Sequence, residues 1–145
     1  MHVIIGADHG GFRFKDEIKT WLIEKGFQTT DVGANSLDEN DDFVDYAKAA
    51  VKEAVNNEDR VILFCRNGFG MSIVANRFSG VRCGLAFDVE AVRKGRIDDD
   101  INCLSVPADY LEVESVKKMV EVFLNTQFSK EEKYTRRIMK LENLF

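Results

Sequence analysis

Two groups of side chains in this sequence have the types and spacing to do chemistry. The first centres on Cys65, which ends the apolar run Val61-Ile62-Leu63-Phe64 and is followed by Arg66-Asn67-Gly68-Phe69-Gly70. Glycines at 68 and 70 let the backbone turn sharply or approach a ligand closely. Beyond them Met71, Val74, Ala75 and Phe78 have helical spacing, with Asn67 or Ser72 available to serve the helix start. A strand that passes through such a loop into a helix aims backbone N–H groups and the positive helix end at one point. The group bound there is expected to be an anion, or to become one. The same surroundings would lower the pKa of Cys65, and a thiolate is the reactive form of cysteine. The plainer reading of a cysteine ending a buried strand is an apolar filler.

The second group is Asp8-His9-Gly10-Gly11, directly after the short apolar stretch His2–Gly6. A histidine between a carboxylate and two glycines is poorly placed for a core, so a ligand contact is the better expectation. Gly68-Phe69-Gly70 lacks both the full dinucleotide pattern and the lysine of a P-loop. Asp98-Asp99-Asp100 reads first as a solvated helix end and second as part of a site. Lys133, Arg136 and Arg137 read as a surface cluster unless the tail folds over a partner. Cys83 and Cys103 fall inside strand patterns and are expected in the core. No His, Cys and carboxylate grouping has metal-type spacing, and no cofactor is expected.

The elements that must position these residues follow from periodicity. Residues 2–6 predict a strand, and Phe14, Ile18, Trp21 and Leu22 the inward stripe of a helix closed by Lys25-Gly26. Phe27–Val32 predicts a second strand, and the acidic segment Asn35–Asp42 a solvated loop. Phe43, Ala47, Ala50, Val51 and Ala54 mark a helix. After the Cys65 unit come a strand at Val81–Ala86, a helix at Val89–Arg96, a strand at Asn102–Val106 and an amphipathic helix at Leu111–Leu124. The tail at 130–145 carries Tyr134, Ile138, Leu141 and Leu144 at helical spacing. Strands alternating with helices over short connections imply a parallel sheet covered on both faces, a three-layer α/β domain of about five strands. Ligands in such folds sit at the carboxyl ends of the strands. Asp8–Gly11, the Cys65 loop, Asp88 and the region from Pro107 should therefore share one rim. The last helix follows a completed domain, so its stripe is expected to dock on a neighbouring subunit.

Composition narrows the classes. A chain of 145 residues suits one domain spanning 1–145. The formal charge of −5, with no basic face to offset it, argues against nucleic acid as the main partner. No apolar run approaches the roughly 20 residues of a membrane span, and the start leads straight into a strand rather than a signal peptide. Three cysteines without metal spacing fit a reducing cytoplasm.

Taken together, Asp8-His9-Gly10-Gly11-Phe12, Asp45-Tyr46-Ala47, Cys65 with Gly68-Phe69-Gly70-Met71-Ser72-Ile73-Val74-Ala75-Asn76, and Arg136-Arg137 in the tail occur in one order along essentially the whole chain. This pattern resembles the type B ribose-5-phosphate isomerase and galactose-6-phosphate isomerase family. The resemblance implies a Rossmann-like sheet, a homodimer or homotetramer, no metal, and aldose–ketose isomerisation of a phosphorylated sugar. It implies that Cys65 is the base that moves a proton between C1 and C2. Asp8, His9, the segment Arg66, Asn67, Gly68, Phe69 and Gly70, and the tail residues Lys133 and Arg137 would hold substrate, one site drawing on two subunits. The chain also departs from the family. Arg66-Asn67 replaces Gly-Thr or Gly-Ser, Asp98 and Asp99 align with a ring-opening histidine and an asparagine, Asp109 aligns with an arginine, and Lys133 replaces the usual Arg. Asp98 is then the candidate proton donor for ring opening, and Asp99 a substrate contact. Another sugar phosphate, such as a hexose phosphate or a tetrose phosphate that needs no ring opening, is the alternative substrate; a non-catalytic sugar-phosphate-binding protein is the alternative class.

Overall fold

In the computed structural model, residues 1–144 are described and form eleven elements in alternation. These are β1 (His2–Ala7), α1 (Phe12–Glu24), β2 (Gln28–Asp31), α2 (Phe43–Glu53), β3 (Arg60–Cys65), α3 (Phe69–Ala75), β4 (Cys83–Leu85), α4 (Val89–Asp99), β5 (Cys103–Pro107), α5 (Val113–Asn125) and α6 (Glu132–Glu142). The strands make one parallel sheet in the order β2-β1-β3-β5-β4. The central three strands are buried on both sides, which is why their sequences are nearly unbroken apolar runs.

Alternation along each strand assigns its side chains to two cores. Val3, Ile5, Ile62, Phe64, Leu104 and Val106 face Ile18 and Leu22 of α1, Val92 of α4, and Val116, Val120 and Phe123 of α5. Ile4, Val61, Leu63, Cys65 and Cys103 face Ala47, Ala50 and Val51 of α2 with Met71 and Ala75 of α3. Each fully buried aliphatic or phenyl side chain contributes about 1.5–3 kcal/mol. The result is the three-layer domain that the periodicity predicts, with the expected parallel sheet of five strands.

The edges differ from the sequence reading for local reasons. The strand expected at Phe27–Val32 pairs only over Gln28–Asp31, because the Phe27 N–H closes the end of α1 on the Leu22 carbonyl. The strand expected at Val81–Ala86 shortens to Cys83–Leu85 at the sheet edge. Cys83 is therefore half-buried rather than a core residue, while Cys103 on the neighbouring β5 is fully buried as expected. Helix α4 runs past Arg96 to Asp99, and Asp100 ends it in the left-handed conformation with φ 48°. Helix α3 is complete by Ala75, which leaves Phe78 beyond it, packed against the core from outside. Helix α6 has no buried residue: Leu141 and Leu144 are exposed, and Phe145, the last residue of the predicted tail helix, lies outside the described residues. Among the described residues no helix is long and apolar enough to cross a membrane.

One buried charge ties α1 to the β2 edge. Lys15, 1% exposed, sits one residue from the predicted apolar stripe and reaches Asp31 at 2.8 Å and the Ala34 carbonyl at 2.7 Å. Lys19 adds a second contact to Asp31 at 2.8 Å. Burial alone would raise the Asp31 pKa, but hydrogen bonds from Lys15, Lys19 and the Gly33 N–H outweigh it and hold the carboxyl below its usual value. A carboxyl depressed in the folded state stabilises the fold above its unfolded pKa and loses that contribution as the pH falls. Lys15→Met should thus cost about 3–5 kcal/mol in urea unfolding near neutral pH, since it strips one partner from a buried pair. The deficit should shrink as the pH falls below about 4 and on through the lowered Asp31 value, where the carboxylate of the parent is itself protonated.

Candidate active site

The rim at the carboxyl ends of β1, β3 and β5 is built by close backbone approaches. After Ala7 the chain turns through Asp8–Gly11 and enters α1 directly over the end of β3. A Cβ on Gly11 would collide with the Phe64 carbonyl, and one on Gly10 would stand 2.5 Å from Arg66 Cγ. Asp8, nearly buried, folds this turn by accepting the Gly10 N–H at 2.9 Å and the Gly11 N–H at 3.2 Å. Its pKa is raised, burial outweighing those N–H groups and the neighbouring His9.

His9 stands beside Asp8 with its ring only partly covered. Its Nδ1 lies 2.7 Å from Asp41 Oδ1, and the same oxygen accepts the His9 backbone N–H at 3.1 Å. The hydrogen bond to Asp41 is the main reason the His9 pKa is raised, so the imidazolium form is favoured. Asp41 belongs to the acidic segment expected to be solvated, yet its carboxylate is 6% exposed. Asp8, His9 and Asp41 thereby offer ligand-type atoms within 4.8 Å of one another, a grouping that no spacing in the sequence reveals. Asp41 Oδ1 is engaged by His9 and Asp8 Oδ1 by backbone N–H groups, while Asp41 Oδ2 is buried without a hydrogen-bond partner.

Cys65 lies level with this turn, since the register pairs Ala7 with Phe64 and Cys65 with Pro107. Its side chain is on the α3 face of the sheet, 5% exposed, and Sγ accepts the Gly68 N–H at 3.2 Å. Gly68 starts α3 in the left-handed conformation (φ 76°), which a residue with a Cβ would resist. Asn67 serves the helix start, as expected, by accepting the Phe69 N–H at 3.0 Å, whereas Ser72 lies inside α3. Gly70 leaves room for the Phe43 ring, 2.8 Å from where a Cβ would sit. Arg66, Asn67 and Phe69 are exposed, and Arg66 Nη1 lies 3.6 Å from Asp109. The expected lowering of the Cys65 pKa does not follow. Burial pushes the thiol up, and the opposing N–H groups of Met71, Gly68 and Asn67 recover only part of that shift.

The remaining candidates are elsewhere. Asp98 and Asp99 occupy the last turn of α4, and that helix runs antiparallel to the strands, away from the rim. They precede β5, whose first residue is four positions below Pro107, roughly 13 Å along the strand. Asp99 borders a cavity of ≈ 400 Å³ with Cys83 and Leu141. Lys133 and Arg137 project from α6 around the Tyr134 ring, at 4.5 and 5.6 Å from its centroid. The chain returns to that same lower end through the Ser129 N–H on the Ile97 carbonyl and through the Arg82–Glu142 ion pair, 2.9 Å. So Asp8, His9 and Cys65–Gly70 meet on one rim, and Asp98, Asp99, Lys133 and Arg137 gather at the opposite end of the molecule.

A sequence profile described as Ribose/Galactose Isomerase matches residues 3–141 of this chain. The chain belongs to that family. A ribose-5-phosphate isomerase B from Mycolicibacterium paratuberculosis is 33% identical over 139 residues, covering 95% of this chain and 87% of the relative. A 4-deoxy-4-sulfo-D-erythrose isomerase from a Clostridium species is 35% identical over 130 residues, covering 89% of this chain and 82% of that one. Among solved structures, a ribose 5-phosphate isomerase from Thermotoga maritima superposes with a TM-score of 0.93 at 35% identity, covering 99% of this chain and 98% of its own. The enzyme from Mycoplasma genitalium with bound ribulose-5-phosphate gives 0.92 at 30% identity, over 97% and 93% of the two chains. Family membership makes the chain an isomerase, and the fold read from periodicity is the family's fold.

The Asp41 contact gives a direct test. Asp41→Asn should return the His9 pKa towards its ordinary value, read from the imidazole C–H resonances. A histidine raised in the folded state stabilises below its unfolded pKa, and that contribution fades as the pH rises through the folded value. The variant should therefore be more destabilised at about pH 5.5 than at about pH 8.5.

Proposed function

We propose that the protein interconverts an aldose phosphate and its ketose through an enediolate, with Cys65 as the base. The observation that carries this reading is the Cys65 sulfur held under the Gly68 N–H, beside the exposed loop residues Arg66, Asn67 and Phe69 and on the same rim as His9. In the aldose-to-ketose direction the thiolate takes the proton from C2 and the C1 carbonyl oxygen gains charge. The hydroxyl proton of O2 passes to O1 and the abstracted proton returns from the thiol to C1, so that the C2 oxygen becomes the carbonyl and the thiolate is restored. N–H groups of the Arg66–Gly70 loop other than those of Gly68, on the sulfur, and Phe69, on Asn67 Oδ1, are the candidates to meet the developing oxyanion, and Arg66 adds a positive charge at the edge. The buried thiol must first lose its proton, and burial pushes its pKa up, so activity should still be climbing with pH above the ordinary thiol range of about 8.5.

Phosphate falls to His9, whose imidazolium is favoured by Asp41, together with Lys133 and Arg137. Within one chain these cations lie at opposite ends, so we assign Lys133 and Arg137 to a second copy whose lower end covers this rim. Asp98 and Asp99 arrive with them, as candidate proton donor and hydroxyl ligand. A symmetric homodimer or homotetramer makes this arrangement reciprocal, and two such sites bury the otherwise bare face of α6.

A second reading, a four-carbon substrate, is favoured by the 35% identity to an isomerase named for a sulfo-erythrose. Such a substrate needs no ring-opening histidine, and this chain has Asp98 at that position.

Exchange of deuterium into C1 or C2 of four- to six-carbon aldose and ketose phosphates in D₂O separates these readings. Cys65→Ser should abolish exchange on the best substrate with its affinity nearly intact; full exchange in that variant would remove Cys65 as the base, and no exchange by the parent on any sugar would leave a binding protein. Arg137→Ala should weaken a phosphorylated ligand about ten- to a hundred-fold and spare its dephosphorylated analogue, as expected for a charge-assisted contact. Equal weakening of both ligands would mean the tail acts only through structure.

A further inference from the structure

Strand β5 contains one hydroxyl among apolar neighbours, that of Ser105, and it is fully buried. A hydroxyl taken out of water without a partner destabilises the fold, so its position in a central strand calls for an acceptor. The acceptor is the Gly68 carbonyl, 2.6 Å away and 37 residues distant in sequence. The same carbonyl accepts the first helical N–H of α3, that of Ser72, at 3.1 Å. Ser105 shares the sheet face with Leu63 and Cys65, two register pairs below the Cys65–Pro107 rung.

Gly68 is the pivot between two peptide groups. The N–H of one meets Cys65 Sγ at 3.2 Å, and the C=O of the other meets Ser105. With φ at 76° and no Cβ, the backbone at this pivot is held by its surroundings rather than by its own sterics. Leu85 and Pro107 fill the space beside it, and Ser105 supplies its directional contact from the sheet. We propose that Ser105 is a positioning residue for Cys65: through the Gly68 carbonyl its hydroxyl sets the loop so that the Gly68 N–H stays on the sulfur. Ser105 does not touch the sulfur in this arrangement and acts only through the loop. Its catalytic consequence rests on the reading of Cys65 as the base.

The test is Ser105→Ala, with Ser105→Thr as the variant that keeps the hydroxyl. Two readouts are taken on the full chain: the pH dependence of Cys65 alkylation by iodoacetamide, resolved by peptide mass spectrometry, and the steady-state kinetics with ribose 5-phosphate. Ser105→Ala should move the Cys65 titration to higher pH and lower kcat about ten-fold, the size of one ordinary hydrogen bond, with KM changed less than about two-fold. Ser105→Thr should restore the parent titration. A Ser105→Ala protein with an unmoved titration and only a lower melting temperature overturns the proposal, because Ser105 would then merely satisfy a carbonyl. A moved titration with undiminished activity supports the hold of Ser105 on Cys65 and removes Cys65 as the base.

Discussion

The contact on which the rim depends is the seating of Gly11 against the carbonyl end of β3. Helix α1 begins directly over Phe64, at a distance that admits no side chain on Gly11. From this follow the position of Asp8, whose carboxylate needs the Gly10 and Gly11 N–H groups, and the placing of His9 next to it. The same approach lays Gly10 against Arg66, so the first and third βα loops are packed as one unit rather than as two loops that happen to be near. The parallel register of β1 with β3 brings them level, and glycine lets them touch.

The electrostatics of that unit are balanced rather than strongly biased. Burial raises both Asp8 and Cys65, and backbone N–H groups work against it at each. The clear bias is at His9, where Asp41 favours a positive ring. Arg66, the other nearby cation, is already opposed by Asp109 at 3.6 Å and is well exposed, so its pull on an anion is screened. One half-covered imidazolium beside several carboxylates is a weak site for a phosphate. On the proposed reading the missing charge comes from α6, which carries Lys133, Arg136 and Arg137 and has no buried residue of its own.

What was legible in the sequence was whatever rests on periodicity or on glycine. The three layers follow from apolar stripes at helical spacing and from unbroken strand runs, and the rim follows from the Gly10-Gly11 and Gly68–Gly70 pairs. What was not legible depends on partners far away in the chain. Lys15 looks like a polar gap in an amphipathic helix until Asp31, 16 residues on, comes to meet it. Asp41 sits in a run of acids indistinguishable from a solvated loop, and only folding shows that it alone turns inward to His9, 32 residues back. Ser105 is similarly silent, a small residue that any strand tolerates. The Cys65 pKa failed for a different reason. A glycine loop and a helix start are visible in sequence and argue for a lowered value, whereas the depth of burial that opposes them is a property of the packed sheet.

The separation of the two candidate groups is a consequence of sheet direction. In a parallel sheet every loop that follows a strand emerges at one end, and every helix returns the chain to the other. Asp8, His9 and Cys65 follow β1 and β3; Asp98 and Asp99 precede β5, and their helix has already made the return. Bringing Asp99 to Cys65 within one chain would require β5 to slide along β3 by nearly its whole paired length, breaking the central ladder and the core beneath it. A two-fold axis achieves the same meeting without disturbing either sheet, because it can set the lower end of one copy against the upper rim of the other. Asp100 is gripped by Arg82 and Arg96, and Arg82 also holds Glu142. Through that arginine the end of α4 and the end of α6 form one block. Asp98, Asp99, Lys133 and Arg137 would then reach a second copy's rim as a set, in fixed relation to one another, and no single one of them could be delivered alone.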